Sequence, residues 1–122
     1  MTTIIPVLRV FDYAKTIEFY VDWLGFTVNW EHRPENSPFY MQVSLRGLAI
    51  ELSEHHGDCS PGGKLSFRDF DGLQEYHRLL TEKGYKFMRP GLERVEWQPD
   101  TLEMMVIDPF SNRLLFTERV TE

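Results

Sequence analysis

Cysteine is almost absent from this chain. Cys59 is the only one in 122 residues, so neither an internal disulfide nor a multi-cysteine zinc site is available. Long apolar runs are missing too. Those present are short and broken by charge, which excludes a transmembrane helix. No charged segment followed by an apolar stretch opens the chain, so no signal peptide is expected. Together these features predict a cytoplasmic protein without a membrane partner. Positive charge is in deficit, with 13 bases against 19 acids and a net charge of −6. That argues against nucleic acid as a partner and permits a cationic ligand, although an acidic surface also serves solubility alone. No nucleophile elbow is present. Gly62-Gly63-Lys64 lacks the rest of a phosphate-binding loop.

What the chain has in quantity is aromatic surface: 9 Phe, 5 Tyr and 3 Trp, or 14% of residues. That exceeds the evident needs of one small core, so some rings are expected to line a pocket. Hydrophobic residues at 42% and charged residues at 26% fit a globular chain of one domain.

The two halves repeat each other. Arg9-Val10-Phe11-Asp12 is matched by Arg68-Asp69-Phe70-Asp71, and Gly25-Phe26 by Gly84-Tyr85, at a constant offset of 59 residues. Each half carries one plan. In the first, Ile4 to Val10 reads as a strand and Asp12 as a helix cap. Ala14, Ile17, Val21 and Leu24, joined by Tyr20, form an apolar helical stripe. Gly25 stops the helix. Phe26 to Glu31, Phe39 to Leu45 and Leu48 to Ser53 read as strands, with a polar loop from His32 to Pro38. In the second, Lys64 to Arg68 is strand, Asp71 the cap, and Leu73, Tyr76, Leu79 and Leu80 the helical stripe ending at Gly84. Tyr85 to Met88, Leu102 to Ile107 and Arg113 to Glu118 follow as strands, with a turn at Arg89-Pro90-Gly91. The prediction is an α+β domain over 1–122, made of two tandem β-α-β-β-β units at 1–55 and 64–122 joined by a linker at 56–63.

With this plan, the segments Pro6-Val7-Leu8 leading to Asp12, Ile17-Glu18-Phe19-Tyr20, Leu24-Gly25-Phe26 and Ile107-Asp108-Pro109-Phe110-Ser111-Asn112-Arg113-Leu114-Leu115-Phe116 resemble the vicinal-oxygen-chelate superfamily, the glyoxalase/bleomycin-resistance/dioxygenase fold. The likeness is greatest to the bleomycin-resistance branch. It implies a domain-swapped homodimer that sequesters a glycopeptide antibiotic in clefts at the dimer interface, with no metal, no cofactor and no catalytic residue.

The resemblance also implies where metalloenzymes of the superfamily carry their ligands. These lie seven residues before each capping Asp and in the last strand of each half. Here the positions hold Ile5, Lys64, Glu51 and Leu115, of which only Glu51 offers a donor suited to a divalent ion. No metal is expected. The rival expectation is a metal-dependent lyase, isomerase or dioxygenase with a displaced site built from Glu51, the tandem His55-His56 and Glu103. His77 reads as a surface or packing residue, and Cys59 has no flanking base to activate it.

A cleft for a cationic, planar ligand needs aromatic plates and fixed acids. The candidate ligand-binding residues are Trp30, Phe39, Glu51, Trp97 and Glu103. Trp97 sits in the irregular stretch Glu93 to Leu102, where the resemblance implies a longer loop facing the cleft. Many relatives carry Pro-Trp-Gly-x-Arg-Glu there. This chain has Pro99-Asp100-Thr101-Leu102-Glu103, one residue shorter, and keeps only the proline and the glutamate.

Overall fold

A computed structural model describes residues 1–35 and 38–120. Part of the expected polar loop from His32 to Pro38 therefore lies outside the described residues. The chain folds as two compact units, 1–63 with 108–112, and 64–107 with 113–122.

The first unit opens with β1 (Val7–Arg9). It is shorter than the sequence suggests, because Pro6 has no N–H for the ladder. Asp12 caps α1 (Tyr13–Thr16), its Oδ1 accepting from the Lys15 amide at 2.8 Å. The helix runs on as a π-helical segment, Ile17–Trp23, where the Leu24 amide reaches the Phe19 carbonyl five residues back. The buried face differs from the expected stripe. Thr16, Phe19, Tyr20, Trp23 and Leu24 are buried, whereas Ala14 is exposed and Ile17 and Val21 are half-buried. Both sets have helical spacing, and the larger aromatic one takes the core because it removes more apolar area from water. Gly25 ends the segment at φ +89°, which a side chain would oppose.

Then follow β2 (Thr27–His32), β3 (Tyr40–Leu45) and β4 (Leu48–Ser53). The sheet order is β1-β4-β3-β2, with β1 parallel to β4 and the rest antiparallel. Alternation puts Met41, Val43, Ile50 and Leu52 into the core. Tyr40, Gln42, Ser44 and Glu51 lie on the other face.

The second unit repeats this order: β5 (Lys64–Phe67), α2 (Leu73–Lys83), β6 (Glu93–Val95), β7 (Gln98–Ile107) and β8 (Arg113–Arg119) in a sheet β5-β8-β7-β6. Three expectations change here. Tyr85 to Met88 is not a strand: the Met88 amide donates to the Tyr85 carbonyl at 3.4 Å in a turn, Pro90 just beyond has no N–H to extend a ladder, and pairing begins instead at Glu93. Asp71 does not cap α2. Gly72 takes the cap position, and the Glu118 carboxylate accepts from the Gly72 and Leu73 amides at 2.9 Å each. Leu79 is exposed, so the buried face of α2 is Leu73, Tyr76 and Leu80. No helix among the described residues is long and apolar enough to cross a membrane.

The Asp108–Asn112 turn belongs to the first unit and explains the Asp-Pro-Phe-Ser-Asn motif. Asp108 accepts from Tyr20 Oη at 2.7 Å and from the Phe110 amide, the Asn112 amide and Asn112 Nδ2, each at 2.8 Å. Burial pushes the Asp108 carboxyl up further than these donors pull it down. The native state therefore binds this proton more tightly than the unfolded chain does. The stability it contributes is full below the ordinary carboxylate range and is lost as pH rises through the raised native value. Urea unfolding of wild type and Asp108→Asn should show the gap moving in favour of wild type as pH falls from 7 towards 4. Movement the other way would contradict the assignment.

Candidate functional site

The outer face of the first sheet carries a continuous polar ladder. Glu51 on β4 is opposite Gln42 on β3. Its Oε1 accepts from Tyr40 Oη at 2.6 Å and its Oε2 from Gln42 Nε2 at 3.0 Å. Gln42 Oε1 in turn accepts from Asn29 Nδ2 at 3.0 Å, and Asn29 Oδ1 from Ser44 Oγ at 3.0 Å. Asn29 joins because the β2–β3 register shifts between Val28 and Trp30, which re-aims its side chain. Trp30 stacks on Tyr40 with its ring plane 5° from parallel and the centroids 5.9 Å apart. Burial and the Glu51 hydrogen bond push the Tyr40 hydroxyl up to about 12, so it stays a neutral donor. Trp30 is 45% exposed. The face thus offers a half-open indole beside a carboxylate held in one orientation.

Phe39 departs from its expected role. It is buried, with its ring edge-on to Tyr13 at 5.1 Å. Tyr40, the next residue, has the opposite parity and reaches Glu51. The alternation that places Gln42 and Glu51 outside also places Tyr40 there, so strand parity was the signal that distinguished them.

In the second unit, β6 and β7 form a hairpin where an irregular loop was expected. Val95 pairs with Gln98 across the two-residue turn Glu96–Trp97, and Arg94 donates to the Pro99 carbonyl at 2.7 Å. Trp97 stands at the tip, 80% exposed. A cavity of about 380 Å³ opens beside it, lined by Trp97, Glu103, Ser66, Arg68, Thr117 and Arg119 among others. A smaller cleft of about 170 Å³ shares Glu103 and Leu115 and adds Glu93 and Met105. Glu103 is opposite both Thr117 and Glu93 in the sheet. Its carboxylate has no side-chain partner among the described residues. Two acids directly opposite repel, which leaves this strip favourable to a cation.

The expected residues thus fall into two groups, one per unit: Trp30 with Glu51, joined through Tyr40, and Trp97 with Glu103, joined by one cavity. Sequence reasoning missed Gln42 and Asn29 in the first, and Arg68, Ser66 and Thr117 in the second.

A superfamily metal does not fit these residues. Val7 pairs with Glu51 and Ser66 with Leu115, so Glu51 and Leu115 are equivalent positions of the repeat. Leu115 has no donor, and both Glu51 oxygens already accept hydrogen bonds. Among the described residues no group of three or more His, Cys, Asp or Glu could hold a metal ion. His55 lies beside Tyr40, the ring centroids 6.3 Å apart, and His77 Nε2 is 2.8 Å from the Pro90 carbonyl. Burial and neighbouring Asp58 push the Cys59 thiol up, away from the thiolate a nucleophile needs.

Two βαβββ units with this strand order define a glyoxalase-type fold. The family model described as glyoxalase superfamily protein matches residues 1–122, and the chain belongs to that family. Among solved structures, it is similar to a bleomycin-binding protein complexed with bleomycin (21% identity, TM-score 0.70, 97% of this chain and 98% of that one). It is also similar to a bleomycin resistance determinant encoded on the transposon Tn5 (20%, 0.72, 98% of both). A glyoxalase family protein from Enterococcus faecalis is a third (22%, 0.68, 93% and 94%). At these identities the likeness is one of fold. None of the curated proteins matches the sequence.

Proposed function

We propose that the protein binds and sequesters a small cationic, aromatic ligand, of the kind represented by bleomycin-type glycopeptides, without catalysing its conversion. The observation that carries this reading is that Trp97 and Glu103 line one cavity. An indole face and an unpaired carboxylate are the two groups a flat cation uses. Trp30, stacked beside the Tyr40–Glu51 pair, repeats the combination in the first unit. The donor set disfavours metal chemistry, because the one superfamily ligand present, Glu51, is already hydrogen-bonded through both oxygens.

The protein acts as a homodimer in this reading, with clefts completed across a two-fold axis and halves exchanged through the segment 56–63. Exposed Phe11, Trp30, Leu48, Phe87 and Trp97 support an apolar interface. The test is a tryptophan-fluorescence titration with bleomycin, with and without copper, alongside light scattering. Saturable quenching and a mass twice the 14.5 kDa of one chain are expected. No quenching by bleomycin or other cationic aromatics up to near-millimolar concentration would sink the reading. Stoichiometric zinc, nickel, manganese or iron in protein purified without chelator, lost on Glu51→Ala, would point to an enzyme instead.

A further inference from the structure

The cavity of the second unit contains both signs of charge, and its cations differ in their surroundings. Arg119 is engaged, its Nε 3.5 Å from the Asp100 carboxylate. Arg68, the residue after β5, is exposed and makes no ion pair or side-chain hydrogen bond with any described residue. Asp69 lines the same cavity yet is not within ion-pairing distance of it. The hydroxyls of Ser66 and Thr117, which line the same cavity, also make no hydrogen bond to a described residue.

The repeat provides an internal comparison. Arg9 holds the equivalent position in the first unit. It is 8% exposed, its guanidinium lies 4.6 Å over the Phe11 ring, and its Nη1 donates to the Val10 and Ser53 carbonyls at 3.4 Å. The same residue type at the same repeat position is fastened to the protein in one unit and open to a cavity in the other.

We propose that Arg68 is an anion subsite of this cavity and receives the carboxylate of the ligand. A guanidinium presents a rigid fork of donors that matches a carboxylate with two parallel hydrogen bonds, and Ser66 and Thr117 can add hydroxyl donors beside it. With Trp97 for a ring and Glu103 for a cation, the ligand class becomes an aromatic zwitterion, a small molecule bearing ring, amine and carboxylate. The inference rests on the cationic-aromatic reading above and adds the acid.

Three probes separate the parts: phenethylamine (ring and amine), 3-phenylpropanoate (ring and carboxylate) and phenylalanine (all three). Binding is followed by ¹H–¹⁵N NMR shifts of the intact protein. Phenylalanine should bind about fivefold or more tighter than phenethylamine. Arg68→Gln should remove that advantage and weaken 3-phenylpropanoate by a similar factor, while phenethylamine is unaffected. Arg68→Lys, which keeps the charge without the fork, should recover part of the loss. Unchanged phenylalanine binding in Arg68→Gln, or no binding of either carboxylate probe, overturns the subsite. If phenethylamine alone binds, the cationic reading stands and the subsite falls. If 3-phenylpropanoate binds through Arg68 and phenethylamine does not bind at all, the subsite stands and the cationic reading falls.

Discussion

Asn112→Ala should cost the protein about 3–5 kcal/mol of unfolding free energy, a large fraction of a domain's usual total of roughly 5–15 kcal/mol. The Asn112 side chain is fully buried and used at every polar atom. Its Nδ2 donates to the Arg9 carbonyl at 2.7 Å and to Asp108 Oδ2 at 2.8 Å, and its Oδ1 accepts from the Gly63 amide at 2.9 Å. Truncation leaves the Gly63 amide without its acceptor and removes one donor from a buried carboxylate. Each buried polar group left unsatisfied costs about 1–3 kcal/mol, more where charge is involved. Asn112→Asp should be at least as damaging, because it replaces a donor with a second carboxylate beside Asp108. Urea denaturation read by far-UV circular dichroism measures both. A loss below about 1 kcal/mol for Asn112→Ala would mean that water replaces the side chain and that the turn is not a structural joint.

That joint shows how local information differs from long-range information in this chain. The repeat, the stops at Gly25 and Gly84, and the strands β4 and β8 were legible because each depends on neighbours within a few residues. The cap of α2 was not. Its acceptor, Glu118, lies 46 residues from Gly72, and only the folded sheet brings it to the helix end. The edge strand of the second unit differs from the sequence pattern for a related reason. Tyr85 to Met88 alternates well, but Pro90 breaks the ladder just beyond, and pairing moved to Glu93–Val95. The buried face of the segment Tyr13 to Leu24 differs from the expected stripe because its apolar residues fall into two overlapping stripes of equal spacing, which periodicity cannot rank.

Among the candidate site residues, Phe39 is the one the fold buries. Glu51, Trp30, Glu103 and Trp97 were reachable from residue type and strand alternation. Their partners Gln42 and Asn29 depended on cross-strand register and a bulge, which sequence does not display. Arg68 could not be distinguished from Arg9 by sequence, since the two occupy one position of the repeat. Only burial separates the fastened guanidinium from the open one.

Phe39 and Trp97, both chosen from sequence as ligand-binding aromatics, should part under alanine substitution. Phe39→Ala should lower unfolding free energy by about 3–5 kcal/mol, as for other buried aromatic truncations. Its ring is fully buried and packed edge-on against Tyr13, so removing it opens a void. Trp97→Ala should change stability by less than about 0.5 kcal/mol, because the indole is 80% exposed at a hairpin tip and supports no core. On binding the expected order reverses. Stacking a cation on an indole contributes about 0.5–2 kcal/mol, so Trp97→Ala should weaken a cationic aromatic ligand roughly 2- to 30-fold at about 1.4 kcal/mol per tenfold. Ligand affinity of Phe39→Ala, measured where that variant is still folded, should stay within about twofold of wild type, within the 0.5 kcal/mol expected of sites without contact. Calorimetric titration with bleomycin, paired with urea unfolding of the same preparations, tests both halves at once. A large stability loss in Trp97→Ala would make that residue part of the core. A large affinity loss in folded Phe39→Ala would return its ring to the binding surface.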